Sequence, residues 1–87
     1  MPGLVRCDVD TAGGGLIRAG SNNHVFCEGH LVAVVGSPVS SHGSGSHSNA
    51  TMVEGSPRVF IGGVAVCRAG DHASCGDVAT GSSTGFA

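Results

Sequence analysis

Apolar residues in this chain fall in short β-branched runs that glycine, serine and proline interrupt. The runs cover residues 31–35, 58–61 and 64–68. No segment repeats its apolar residues at a 3.6-residue period for longer than two helical turns, so the pattern predicts short strands. Gly62-Gly63 lies between two runs and predicts a hairpin turn, because glycine tolerates the positive φ that such turns need. Glu28-Gly29 stands in the matching place before residues 31–35.

The chain also repeats itself with a shift of 34 residues. Six positions then coincide, pairing Val25 with Val59, Phe26 with Phe60, Gly29 with Gly63, Val32 with Val66, Gly36 with Gly70 and Ser40 with Ser74. Gly-Ser steps at residues 20, 55 and 81 open two full copies and a third, which stops at Phe86. Near the N-terminus, Asp10 and Gly15 match Asp71 and Gly76.

Hairpins of this size cannot bury a face alone. The repeat therefore predicts an all-β fold of about two full hairpin units with halves at both ends, stacked or arranged radially. Three corresponding loop regions begin at Asp10, Ser37 and Asp71. The sequence thus offers an approximate three-fold symmetry.

Composition limits both the size and the class of the protein. The chain has 87 residues, 11% of them charged, and a net charge of −2, so we expect a single domain over residues 1–87. Four arginines and no lysine argue against binding to nucleic acid or to an anionic membrane, because a row of phosphates requires many cations. The shortage of leucine and lysine excludes a helical bundle.

Large side chains are too scarce for a substantial core. The chain has three phenylalanines, two methionines, no tryptophan and no tyrosine, so stability requires a metal, disulfides or a partner. The first residues lack the pattern of a signal peptide, and we expect synthesis in the cytoplasm, where cysteines bind metals or pack as small apolar groups. We interpret Cys7, Cys27 and Cys67 as packed thiols.

Histidine and cysteine recur in two equivalent loops. His42 and His47 follow the first repeat, and His72 and Cys75 follow the second. Repeats that pack side by side would bring both loops to the same end of the domain. We therefore predict a closed four-ligand site, as in structural zinc sites. Zinc is favoured over iron, which imidazole also suits, and Asp77 is the alternative to His72 as fourth ligand.

Other interpretations lead to different classes of protein. The loop histidines could be solvated, with Cys75 a buried small side chain. A catalytic pair of Cys75 and His72 would make the chain a small metal-dependent or thiol hydrolase, but so short a chain has little scaffold for a substrate cleft. A zinc-sensing or zinc-carrier module is a third class. We interpret His24 and His30 as exposed turn residues.

Residues 54–71 resemble the proline-alanine-alanine-arginine (PAAR) repeat proteins. The segment reads Glu-Gly-Ser-Pro-Arg-Val-Phe-Ile-Gly-Gly-Val-Ala-Val-Cys-Arg-Ala-Gly-Asp, and Ser-His-Gly at 41–43 and Ser-Cys-Gly at 74–76 also match. The resemblance covers almost the whole chain. The sequence of this chain differs from the family at two places. The motif that gives the family its name is degenerate at residues 64–68, and Gly14 stands where many members carry a histidine ligand.

The resemblance implies a small cone of short β-hairpins with a metal near its apex. Family members cap a trimeric β-helical spike, on VgrG in type VI secretion systems or on contractile phage tails. It implies a structural tip for membrane piercing and effector delivery, with no catalytic residue, that is delivered outside the cell. Because the sequence itself offers an approximate three-fold symmetry, we expect the chain to be monomeric when free and bound as one copy per trimer. The resemblance supports His42 and Cys75 as ligands most directly, with His47 as the replacement for the missing first-loop histidine.

Overall fold

The computed structural model of the protein describes residues 2–86, and it is built from short antiparallel hairpins. Its strands are β1 (Thr11–Ala12), β2 (Gly15–Leu16), β3 (Phe26–Cys27), β4 (His30–Leu31), β5 (Phe60–Ile61) and β6 (Val64–Ala65), and a 3-10 helix covers Gly45–His47. β1 pairs with β2, β3 with β4 and β5 with β6. The predicted all-β class is confirmed. Within residues 2–86, no helix has the length and apolar character that crossing a membrane requires.

Residues with positive φ, mostly glycines, shape the hairpin turns. Gly62 and Gly63 have φ values of 58° and 83° in the predicted β5–β6 turn. Gly29 has φ of 82° in the β3–β4 turn, as its matching position predicts. The β1–β2 hairpin, which turns on Gly13 and Gly14, was not predicted, because no run of β-branched residues flanks these glycines in the sequence.

A closed ring of three backbone hydrogen bonds lies at the centre of the fold. The Val5 N–H donates to the Cys67 carbonyl at 3.1 Å, the Cys67 N–H to Ala33 at 2.9 Å, and the Ala33 N–H to Val5 at 2.9 Å. All three residues are fully buried. Each residue donates to one neighbour and accepts from the other, so the ring defines an approximate three-fold axis. The repeats are therefore arranged radially.

The turns that follow the ring repeat the same symmetry. The backbone N–H of Arg6 donates to the Asp10 carboxylate, and that of Arg68 donates to Asp71. In the middle sector the Val34 N–H donates to the Ser37 hydroxyl instead. Asp10, Ser37 and Asp71 are the residues at which the sequence placed three corresponding loops, and the structure gives them equivalent roles.

The two ends of the described chain together form the third hairpin position. Gly3 pairs with Phe86 in an antiparallel bridge, and the Leu4 N–H donates to the Gly85 carbonyl at 2.8 Å. These contacts correspond to those of β3–β4 and β5–β6. The half-units predicted at the two ends of the chain thus combine into one sector.

The core consists of small side chains in two clusters. One cluster contains Cys27, Val32, Val34 and Val66, beside the β3–β4 and β5–β6 hairpins. The other includes the three ring residues and the buried side chains around them. Cys7, Cys27 and Cys67 are buried and free, which confirms their interpretation as packed thiols. Burial raises the pKa of the Cys7 thiol to about 11 and that of Cys67 to about 12, so neither is a reactive thiolate at neutral pH.

We expect Asp10→Asn to lower the free energy of unfolding at pH 7 by about 2 kcal/mol, because Asp10 is a buried, charge-assisted acceptor. Burial opposes its charge, but hydrogen bonds from Arg6 and Thr80 outweigh this and lower the Asp10 pKa below its ordinary value. This stability is present above the unfolded pKa of about 4 and is lost as the pH falls through the lower folded pKa.

Urea unfolding between pH 7 and pH 2 measures this effect, and the wild-type and variant curves should converge in acid. Asp8→Asn is the matched control. Asp8 pairs with Arg18 at 2.8 Å on the surface, with both side chains more than half exposed, and such pairs contribute about 0.5 kcal/mol or less. Equal losses in the two variants would contradict the role of Asp10.

Candidate metal centre

Three loops converge beyond the ring, on the side away from the β3–β4 and β5–β6 hairpins. They follow Ala12, Val39 and Ala73, which occupy equivalent places in bridges to Ala79, Ile17 and Met52 respectively. The first loop is the Gly13-Gly14 turn, the second covers residues 40–49 and the third covers residues 74–77. The second and third loops emerge at the same end, as the repeat predicts.

Four side chains of the second and third loops meet there, and we call them the four-residue cluster: His42, His47, Cys75 and Asp77. One possible ligand atom from each lies within 4.8 Å of all the others. His42 Nε2 lies 2.9 Å from Asp77 Oδ2, 3.1 Å from His47 Nδ1 and 3.7 Å from Cys75 Sγ. Donors on one tetrahedral zinc ion are separated by roughly 3.3–3.7 Å, given bond lengths of about 2.0–2.3 Å. The separations in the cluster lie on both sides of this range, so shifts of about 1 Å or less would let the four side chains hold a single ion.

His42 is held in the orientation that a metal ligand needs. Its Nδ1 lies 2.9 Å from the Ser40 carbonyl, which can only accept a hydrogen bond, so Nδ1 carries a proton. In the neutral ring, the form that binds a metal, the lone pair is then on Nε2, which points into the cluster. In the protonated ring Nε2 donates instead to Asp77 Oδ2. Ligating histidines are commonly fixed by a carbonyl in this way. The side chain is 7% exposed, and the hydrogen bonds to Ser40 and Asp77 raise the His42 pKa above its ordinary value.

Asp77 supplies the negative charge of the cluster. Hydrogen bonds from His42 and Cys75 lower the pKa of its carboxyl group, so the group is ionised at neutral pH. The third loop is tight, with the Ala73 N–H donating to the Asp77 carbonyl and the Gly76 N–H to the Ala73 carbonyl. This turn brings Asp77 back across the loop to the same side as Cys75.

The first loop contributes space to the site. A Cβ added at Gly13 would overlap the Asp77 carboxylate, and one at Gly15 would overlap the Ser40 carbonyl oxygen and crowd His42 Nδ1. Side chains there would displace one proposed ligand and the carbonyl that orients another. Gly14 was expected to leave the first loop without its usual histidine ligand, but the space that Gly13 and Gly15 provide was not predicted. The richness of the sequence in glycine was the available signal.

His72 does not join the cluster, although it was predicted as a ligand. It lies one residue before the buried Ala73, and alternation along an extended segment turns its side chain outward. Its Nδ1 is 2.5 Å from Glu54 Oε1, and the side chain is 51% exposed. Asp77, the alternative fourth ligand, occupies the place in the cluster that His72 was predicted to fill.

The remaining histidines lie elsewhere. His24 and His30 are exposed, as expected for turn residues, and the His24 ring contacts the neighbouring Asn23 amide. The sequence therefore located three members of the cluster and offered the fourth as an alternative.

Comparison with known proteins agrees with the fold and with the resemblance noted in the sequence. A search of curated proteins found no significant match. The family model described as PAAR motif matches residues 8–81, which include all three loops, the ring residues Ala33 and Cys67, and the four-residue cluster. The match covers most of the 87 residues, and the chain therefore belongs to the PAAR-motif family.

Proposed function

We propose that this protein is the structural tip of a trimeric β-helical spike, either VgrG-like or of a phage tail. It caps and sharpens the spike for membrane piercing and effector delivery and performs no catalysis. It is made in the cytoplasm and leaves the cell with the spike. Membership of a spike-tip family supports the general role, and the surface opposite the loops supports the docking mode.

The observation that carries the proposal is the phenylalanine triad, which consists of Phe26, Phe60 and Phe86. These are all the aromatic residues of the chain, and they occupy equivalent positions in β3–β4, in β5–β6 and in the pairing of the chain ends. Their exposures are 59%, 54% and 50%. Large aromatic side chains left in water at three related positions match the end of a partner with three-fold symmetry.

At the loop end, we propose that His42, His47, Cys75 and Asp77 hold one zinc ion. A thiolate, two imidazoles and a carboxylate are all zinc ligands, and iron is the less favoured metal. The ion would join the second loop to the third at the point of the cone. A core of small side chains gains stability from such a closed site.

The stoichiometry of the complex tests the docking mode. We expect native mass spectrometry of the chain reconstituted with a trimeric β-helical spike protein encoded beside it to show one chain per trimer, and the free chain to be monomeric. One pseudo-symmetric chain already presents three equivalent corners, so it occupies the whole end of the trimer. Three chains per trimer, or a free chain that forms a stable trimer, would contradict the proposal.

A further inference from the structure

Each phenylalanine of the triad lies two positions after a residue whose side chain can donate a hydrogen bond. These residues are His24, Arg58 and Thr84. Their backbone N–H groups donate to equivalent buried side chains: Asn22 Oδ1, Ser56 Oγ and Ser82 Oγ respectively. The same three acceptors also bind the next N–H along the chain. The backbone that presents each donor is therefore fixed relative to its phenylalanine.

The side chains of these three residues differ in the partners that they contact within the protein. The Thr84 hydroxyl donates to the Glu28 carboxylate, and the His24 ring contacts Asn23. The other arginines are all paired: Arg6 with Asp10 and Glu28, Arg18 with Asp8, and Arg68 with Asp71. Within residues 2–86, Arg58 has no ion pair, and it is exposed.

An unpaired guanidinium beside a docking surface limits what the partner can carry. Burial of Phe60 and the partly exposed Val59 would remove water from the neighbourhood of Arg58. A charge that loses water without gaining a counter-charge is strongly unfavourable. Arg58 keeps part of its water at the rim of this surface, so a partner with an anionic group here binds more tightly than one without a counter-charge.

We propose that Arg58 is the electrostatic anchor of the docking face and binds a carboxylate at the rim of the three-fold partner, beside the socket for Phe60. The inference rests on the proposed function and adds the chemistry of the partner surface. A homotrimer presents this carboxylate three times. When one copy pairs with Arg58, the other two copies face His24 and Thr84. A rim position leaves those two copies hydrated, so one charge-assisted pair forms in whichever of the three equivalent orientations the chain binds.

Binding of Arg58 variants to the purified trimeric spike protein tests this inference. At 50 mM NaCl we expect Arg58→Gln to weaken the Kd about tenfold and Arg58→Glu about 100-fold, with Arg58→Lys between wild type and Arg58→Gln because lysine keeps the charge but not the guanidinium fork. At 500 mM NaCl the differences should shrink, because salt screens a rim pair. Arg18→Gln is the matched control and should bind as wild type. Arg18 is exposed and paired with Asp8, and its backbone N–H donates to the Pro38 carbonyl beside the second loop, on the side away from the triad.

Phe60→Ala separates this inference from the proposed function. It should weaken binding about 30-fold at both salt concentrations, because its contribution is apolar. If Phe60→Ala is impaired while Arg58→Gln matches wild type, the anchor is wrong and the docking face stands. If the wild-type chain does not bind the trimer, both are overturned. Equal melting temperatures of the Arg58 variants and wild type show that the variants are folded.

Discussion

Replacing Cys75 by serine is expected to lower the melting temperature of the zinc-loaded protein by about 12–24 °C. Serine removes the thiolate from the four-residue cluster while keeping a similar shape. Loss of one ligand from a closed site should cost about 3 kcal/mol of metal-dependent stability. Each kcal/mol corresponds to about 4–8 °C in a domain of this size. Thermal unfolding followed by circular dichroism, with and without a chelator, measures the effect.

Two further variants identify the fourth ligand. Asp77→Asn should destabilise the loaded protein because it removes a ligand charge, whereas His72→Ala should change stability by about 0.5 kcal/mol or less, since His72 forms an exposed pair with Glu54. Elemental analysis of protein purified without chelator should give one zinc per chain. A value well below one would contradict the metal site, and a large loss from His72→Ala with none from Asp77→Asn would restore His72 as the ligand.

Removing all three rings of the phenylalanine triad is expected to abolish docking on the trimeric spike. A central aromatic contact contributes about 2 kcal/mol, or about 30-fold in affinity. Loss of all three should therefore place binding beyond the range of isothermal titration calorimetry. The free protein should stay folded, because the rings are at least half exposed and stabilise little of the core. Phe26→Ser, Phe60→Ser and Phe86→Ser together form the test variant.

The matched control changes equally exposed apolar residues elsewhere. Val53 and Val78 are 52% and 50% exposed and lie on either side of His72, towards the loops. The double variant Val53→Ser and Val78→Ser should bind as wild type. Binding that tolerates loss of the triad but fails in this control would place the interface on the side of the cone.

The sequence predicted the parts of the fold that glycine spacing and the 34-residue repeat encode. It located the β5–β6 turn at Gly62-Gly63, the β3–β4 turn at Glu28-Gly29 and the half-unit that stops at Phe86. It missed the β1–β2 hairpin. The central ring was also beyond prediction, because its hydrogen bonds join backbone groups of Val5, Ala33 and Cys67 and carry no side-chain signature.

Side-chain direction limited the prediction of the site. Spacing in the sequence placed His42, His47, Cys75 and His72 in two equivalent loops, and the first three do converge. Side chains alternate between the two sides of an extended segment. Whether a loop residue faces inward therefore depends on the number of residues that separate it from the buried strand residues, and on the turn that follows. His72 lies next to the inward-facing Ala73 and so faces out, while the tight third loop returns Asp77 to the cluster.

The closed ring fixes the number of repeats in this fold. An open array of repeats gains or loses a unit at its ends at little cost to the rest. Here the Val5 N–H must find the Cys67 carbonyl after one circuit of the axis, so two units would leave a gap and a fourth would have no place. The partial units at the two chain ends must therefore add up to one whole sector. The ring therefore accommodates extra chain only within a single loop, such as residues 40–49, or beyond the ring.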